Sequence, residues 1–290
     1  MSLNKPGPAD WHTHSTASDG ELSPVELVQS VKASGLDCFA LTDHDTVDGV
    51  GQATNTAQEL GVGLVAGVEV SSCWSNQDIH IVGLAVDTSH SGLLGNLKQQ
   101  MQRRQERACH IGLRLEKLGV HGMYDAASAL ASNGVPSRPH FAQALVDAEV
   151  CRDKKQAFHR YLAVSKPAYV KTQWPSLAEV VGWIRAAGGM PVLAHPGRYK
   201  LTRTKLDRLV SSFAEAGGGA MEVAVSNHTT DMVQYLAGLA QKYGLYASQG
   251  SDYHGPSMEW VKLGKFPPLP SRCRPVSEWM TPSMYLSSCK

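Results

Sequence analysis

Apolar and polar positions follow two rhythms along this chain, and the switches between them mark out its elements. Short, nearly continuous apolar runs at residues 38–42, 63–70, 79–84, 190–194, 220–225 and 245–248 read as strands buried on both faces, as in a parallel sheet. The segments between them, at about 24–34, 48–60, 176–187, 204–216 and 230–242, read as helices. Ser23-Pro24-Val25-Glu26 has the form of a capping box with proline in the first turn, and Gly35 and Gly61 stop the first two helices. Strand and helix in alternation predict a (β/α) barrel.

The barrel pattern breaks once. From Ser91 a long charged helix runs to about Leu118, and helical segments continue at 123–131, 138–148 and 153–162 with no strand between them. Residues 100–167 therefore read as an all-helical insertion between barrel parts at 1–99 and 168–290; after about Pro267 the chain is proline-rich and irregular. The insertion is basic: residues 100–171 carry twelve Lys and Arg against six Asp and Glu, net +6, which leaves −5 for the rest of a chain whose formal charge is +1. On its own such a run is a solvated helical face, but beside a cationic site it is a candidate lid for an anion.

What leaves the strands is more informative. The first strand runs into Asp10-Trp11-His12-Thr13-His14, where two histidines one residue apart on a strand share a face. Asp19 follows shortly after. The later strands end in Asp43-His44-Asp45, Glu69, His195-Pro196-Gly197-Arg198-Tyr199, Ser226-Asn227-His228 and Gly250-Ser251-Asp252-Tyr253-His254. Polar residues at strand C-termini occupy the face where barrel active sites lie. His80 stands near the beginning of its strand, and spacing does not place it. Nine residues, His12, His14, Asp19, His44, Glu69, His80, His195, Asp252 and His254, form a candidate metal-binding and catalytic set. His90, His110, His121 and His159 lack such a context.

Composition narrows the class. Apolar content of 42% and charge of 18% suit an enzyme-sized soluble chain, and no apolar run approaches the roughly 18 residues of a membrane span. Residues 1–9 lack the apolar core of a signal peptide, so a cytoplasmic protein is expected. Six cysteines without a Cys-x-x-Cys pair argue against both a disulfide framework and a thiolate zinc site.

At His12-Thr-His14 with Asp19, Thr42-Asp-His44-Asp45, Gly67-Val-Glu69-Val70, Ala194-His195-Pro-Gly and Gly250-Ser-Asp252-Tyr-His254 the sequence resembles the polymerase and histidinol phosphatase (PHP) family. The resemblance implies an α/β fold, a distorted (β/α)7 barrel carrying the helical insertion, with nine ligands around three divalent ions. His12, His14, Glu69 and Asp252 would hold the first ion. Glu69 would bridge to a second, held by His80 and His195, and Asp19, His44 and His254 would hold the third. The insertion, with Ser137-Arg138-Pro139-His140-Phe141-Ala142 and Arg198-Tyr199, is similar to the branch that removes the 3′-phosphate of nucleoside 3′,5′-bisphosphates, some of whose members trim short RNA from its 5′ end. Histidinol-phosphate phosphatase is the alternative within the same chemistry. A non-catalytic metal-binding domain docked on a partner is the alternative from another class, although all nine positions are filled.

Charge is compatible with this. Three divalent ions carry +6 and three carboxylates −3, so a phosphomonoester dianion and a hydroxide would balance the site where a neutral amide would not. Six imidazoles and three carboxylates exclude calcium and disfavour magnesium; manganese is expected, with iron(II) and zinc as alternatives. Arg138, at a helix start that cations otherwise avoid, is the candidate for gripping the phosphate that is not cleaved, with Lys171 and Arg198 as helpers. Asp45 and His228 are candidates for the general acid. A small nucleotide, with short RNA beside it, is the expected partner, with no membrane and no obligate protein partner.

Overall fold

The computed structural model describes residues 8–287. Seven strands, β1 (Ala9–Thr13), β2 (Cys38–Leu41), β3 (Gly63–Trp74), β4 (Gln77–Leu84), β5 (Met190–Leu193), β6 (Ala220–Val225) and β7 (Tyr246–Gly250), follow one another in the sheet in chain order. A parallel bridge from Thr13 to Tyr253 brings the two ends together, so the sheet nearly closes into a barrel. The helices α1 (Pro24–Ala33), α2 (Val50–Leu60), α7 (Leu177–Ala186), α8 (Arg203–Glu215) and α9 (Thr230–Lys242) pack around it. Ser23 and Glu26 make both halves of the expected capping box on α1.

Two of the seven pairings are not of the βα type. β3 is four residues longer than its apolar run, and β4 returns antiparallel to it, with Ser71 opposite His80; β4 is also antiparallel to β5. The reversal is made by Ser75 and Asn76, both at positive φ (48° and 63°), as a tight hairpin turn of the primed kind demands. β4 thus begins at the end of the barrel where its neighbours finish, which accounts for a site histidine at its start. β4 pairs with β3 only from Gly67 onward, and a short C-terminal strand, β8 (Tyr285–Ser287), pairs at Leu64 and Val65.

Strand residues alternate between two apolar clusters. Phe39, Leu41, Leu64, Val68, Ile79, Ile81 and Val223 face the helices, whereas Val65, Val82, Leu84, Val192, Ala194 and Ala220 pack with Trp11 and Cys38 inside the barrel. The long helix α3 (Ser91–Lys117) leads from β4 into a run of helices. Its Leu93 and Leu97 join the main core, while Ala108, Ile111 and Leu115 join a separate cluster with α4 (Met123–Leu130) and α5 (Arg138–Asp147). The stretch ends in α6 (Lys154–Ala157) and one π-helical turn at Phe158–Leu162. Among the described residues no helix is long and apolar enough to cross a membrane, and Cys73, Cys109, Cys151 and Cys273 are free thiols; Cys289 lies outside them.

Candidate metal centre and anion pocket

All nine residues singled out from the sequence meet at one end of the barrel. β1 delivers His12 and His14, and the loop after β7 is zipped to it by Asp252 N–H to His12 O (2.9 Å) and His14 N–H to Tyr253 O (2.9 Å). Backbones approach so closely here that a Cβ on Gly250 would stand 2.5 Å from His12 Cβ, and one on Gly20 would stand 2.6 Å from the His14 carbonyl oxygen. Asp45, His195 and Asp252 occupy the left-handed region (φ 54°, 32° and 55°), strained backbone of the kind that collects at functional sites.

The donor atoms form three overlapping groups: His12, His14, Glu69 and Asp252; His14, Asp19, His44 and His254; and His44, Glu69 and His80. In the first, His12 Nε2 and His14 Nε2 are 3.0 Å apart, and Glu69 Oε2 is 3.2 Å from each. Asp252 Oδ1 lies 3.3 and 3.1 Å from the same nitrogens. A cation held tetrahedrally at about 2.0–2.1 Å sets its ligands roughly 3.3 Å from one another, so these four atoms have the spacing of a coordination shell. The other Glu69 oxygen, Oε1, is 2.9 Å from both His80 Nδ1 and His195 Nε2. Asp19 Oδ1 lies 3.4 Å from His254 Nε2 and 3.8 Å from His44 Nε2.

Electrostatics favour a cation. Glu69 Oε2, Asp252 Oδ1, Asp19 Oδ1, His14 Nδ1, His44 Nδ1 and His195 Nδ1 are buried without a hydrogen-bond partner, a costly arrangement unless something binds them. Burial pushes the three carboxyls up, yet the histidines around them hold all three well below the usual carboxylate range. They are acceptors only at neutral pH. His14, which burial alone would depress, is raised to about 9 by the Asp252 and Glu69 carboxylates that face its Nε2.

Other groups brace these side chains. Tyr199 Oη donates to Ala194 O (2.9 Å) and accepts the His80 N–H (2.9 Å). Asp43 accepts from Ser15 N–H, Ser15 Oγ and Ser18 Oγ, which fixes the turn leading to Asp19. Glu222 accepts from His12 Nδ1 (2.7 Å).

A pocket opens beside the centre, with Asp19, His44 and His80 on one side and Ser137, Arg138, Arg104, Arg107 and Trp174 on the other. Arg104 is satisfied by Asp45 (2.6 Å) and Ser71 Oγ (2.9 Å). Arg107 is not: its buried Nε has no partner, and burial together with the charges of Arg104 and Arg138 lowers its pKa to about 9. Both guanidiniums lie over Trp174, at 5.7 and 5.2 Å from the ring centroid. Asp78 also lines the pocket and Asp19 belongs to the donor groups, so the three arginines face two lining carboxylates, with Asp45 behind Arg104 as its partner.

Arg138 lines this pocket at the first turn of α5. Lys171 does not; it is an exposed residue. Arg198 pairs with Asp252 Oδ2 and donates to Ser226 O, so it touches a residue of the first group instead. Asp45 is buried as the partner of Arg104, and His228 donates Nδ1–H to Val223 O, facing Gly197; neither lines the pocket. Sequence reasoning missed Arg104, Arg107, Trp174 and Glu222. Gln100, Arg104 and Arg107 fall on one helical stripe, which was a readable signal.

A nearly closed α/β barrel whose rim gathers histidines and carboxylates around shared donor positions defines a metallohydrolase-like protein. The sequence profile of the PHP domain matches residues 10–223, and the chain belongs to that family. It is 42% identical over 268 residues to a 3′,5′-nucleoside bisphosphate phosphatase of Chromobacterium violaceum, covering 92% of this chain and 94% of that protein. It is 43% identical to a 5′-3′ exoribonuclease of Haemophilus influenzae, with coverage of 93% and 97%. Among solved structures, an amidohydrolase from Chromobacterium violaceum with bound sulfate and no metal superposes with a TM-score of 0.89 at 42% identity, over 94% of this chain and 95% of that one.

Proposed function

We propose that this protein is a metal-dependent phosphatase that hydrolyses the 3′-phosphate of nucleoside 3′,5′-bisphosphates to leave the 5′-monophosphate. The observation that carries this is the juxtaposition of two features: a centre of unpartnered carboxylate and imidazole atoms, and an adjoining pocket with three arginines. One feature suits the phosphate that reacts, the other a phosphate that does not. Relatives at 42–43% identity with the corresponding activities support it.

His12, His14, Glu69 and Asp252 would hold one divalent ion, Glu69 with His80 and His195 a second, and Asp19, His44 and His254 a third, with manganese expected. Bound there, the ions supply Lewis acidity toward the phosphoryl oxygens and lower the pKa of water. The chain's own groups do the positioning. Arg138 and Arg107 would hold the 5′-phosphate, the three arginines restricting where the ribose 3′-oxygen can lie. Water adds to phosphorus, the P–O3′ bond breaks, and the 3′-oxygen takes up a proton to become a hydroxyl. If the 3′-phosphate also esterifies another nucleotide, breakage of the same bond leaves a 5′-phosphate on the shortened strand, which suits the same pocket. Short RNA is therefore a second substrate class. Residues 100–167 would act as a cap that closes one wall of the pocket between barrel parts at 1–99 and 168–290, and the reaction would take place in the cytoplasm.

Histidinol phosphate, with an amine where the bisphosphate has an anion, gains nothing from Arg107 and Arg138. Phosphate release from adenosine 3′,5′-bisphosphate and from histidinol phosphate, compared at low concentration with added manganese, tests the assignment. A much faster rate on the bisphosphate is expected; equal or reversed rates would overturn it.

A further inference from the structure

Glu222 is the one carboxylate in the otherwise apolar strand β6, and it is fully buried. Its two oxygens serve two different parts of the centre. Oε1 is 2.7 Å from His12 Nδ1 on β1, and Oε2 is 2.5 Å from the backbone nitrogen of His195, at the end of β5. That N–H can only donate, and it belongs to a residue whose backbone is held at φ 32°.

We infer that Glu222 is a positioning residue that fixes the His12 tautomer and pins the His195 turn, setting two ligands from separate strands with one side chain. Because a carboxylate accepts only, His12 must carry a proton on Nδ1, so Nε2, turned toward His14 Nε2, Glu69 and Asp252, is the nitrogen left to offer a lone pair to a cation once it is deprotonated. The backbone bond at His195 holds the strained turn from which its Nε2 reaches Glu69 Oε1. The inference rests on the metal-binding reading of the site.

Glu222→Gln tests it at constant size. Glutamine has one acceptor oxygen, and the His195 N–H claims it. The amide NH₂ then faces His12 Nδ1, which has to accept, so the proton moves to Nε2 and that nitrogen is blocked as a ligand. Metal titration against a chelator should show one ion bound about 10- to 100-fold more weakly in the variant, the others near their wild-type affinity, and the melting temperature of the metal-free protein little changed. Wild-type protein loaded with zinc should also show a strongly hydrogen-bonded His12 Nδ1–H in ¹H–¹⁵N spectra, a measurement that stands even if the variant does not fold. Unchanged affinity, a uniform loss of all ions with a lowered melting temperature, or no such proton in the wild type would overturn the inference. A wild type that retains no ion at all would overturn the reading of the site itself.

Discussion

His80 Nδ1 and Glu69 Oε1 lie 2.9 Å apart across a two-residue hairpin, one on β4 and the other on β3. Glu69 is consequently shared: Oε1 faces His80 and His195, and Oε2 faces His12 and His14. One side chain joins two donor groups, and its loss should affect both.

Glu69→Ala should therefore lower the metal content by at least one ion and reduce phosphatase activity by more than the 10- to 100-fold typical of a residue one step removed from a metal. Elemental analysis beside phosphate release checks this. Full metal content in the variant would show that Glu69 is not a bridge.

For Arg138→Ala, one charge-assisted hydrogen bond is worth about 1.5–3 kcal/mol, so kcat/KM on a nucleoside 3′,5′-bisphosphate should fall by roughly 10- to 150-fold. An aryl phosphate, which has no second phosphate, should be hydrolysed nearly as before. Equal losses on both substrates would assign Arg138 to the reacting phosphoryl group or to the fold.

Arg107→Met separates stability from binding. The wild-type guanidinium is buried, repelled by Arg104 and Arg138, and unpartnered at Nε. Replacing it with an apolar chain of similar length should leave the melting temperature of the metal-free protein equal or higher while KM for the bisphosphate rises. A lower melting temperature with unchanged KM would contradict a role in anion binding.

Metal-free protein should respond to pH in a defined direction. His14 is raised from 6.5 to about 9 in the folded state, because the Asp252 and Glu69 carboxylates beside it outweigh burial, and His12 is raised too by Glu222, Glu69 and Asp252. A base whose folded pKa is raised contributes stability that is complete below about 6.5 and lost as pH climbs through the folded value. In chelator, the melting temperature should fall between pH 6.5 and 9. Metal affinity should rise across the same window as these protons leave. Thermal scans at several pH values would expose a flat or opposite trend.

Much of this was legible in the chain itself. The rim residues announced themselves because apolar strands end abruptly in His, Asp or Glu, and the run of helices between β4 and β5 because no strand pattern interrupts it. His80 was not placeable, since its position depends on a reversal made by Ser75 and Asn76, a pair far less conspicuous than Asn-Gly. Arg104 and Arg107 read as part of a solvated charged helix, yet both are buried, with Trp174, some seventy residues further on, stacked beside them and Asp45 and Ser71 holding Arg104. Glu222 was hidden by its apolar neighbours, although a lone carboxylate in such a strand needs partners. Arg198 resembled a free cation until the fold set it against Asp252.

The most direct test of the central claim is the regiochemistry of phosphate release and its dependence on metal. Protein stripped with chelator and then reloaded with manganese should be incubated with adenosine 3′,5′-bisphosphate and the nucleotide product identified by ³¹P NMR. The account predicts adenosine 5′-monophosphate and inorganic phosphate from the reloaded protein, and almost none from the stripped protein. Release of the 3′-monophosphate, or equal turnover with and without metal, would contradict it.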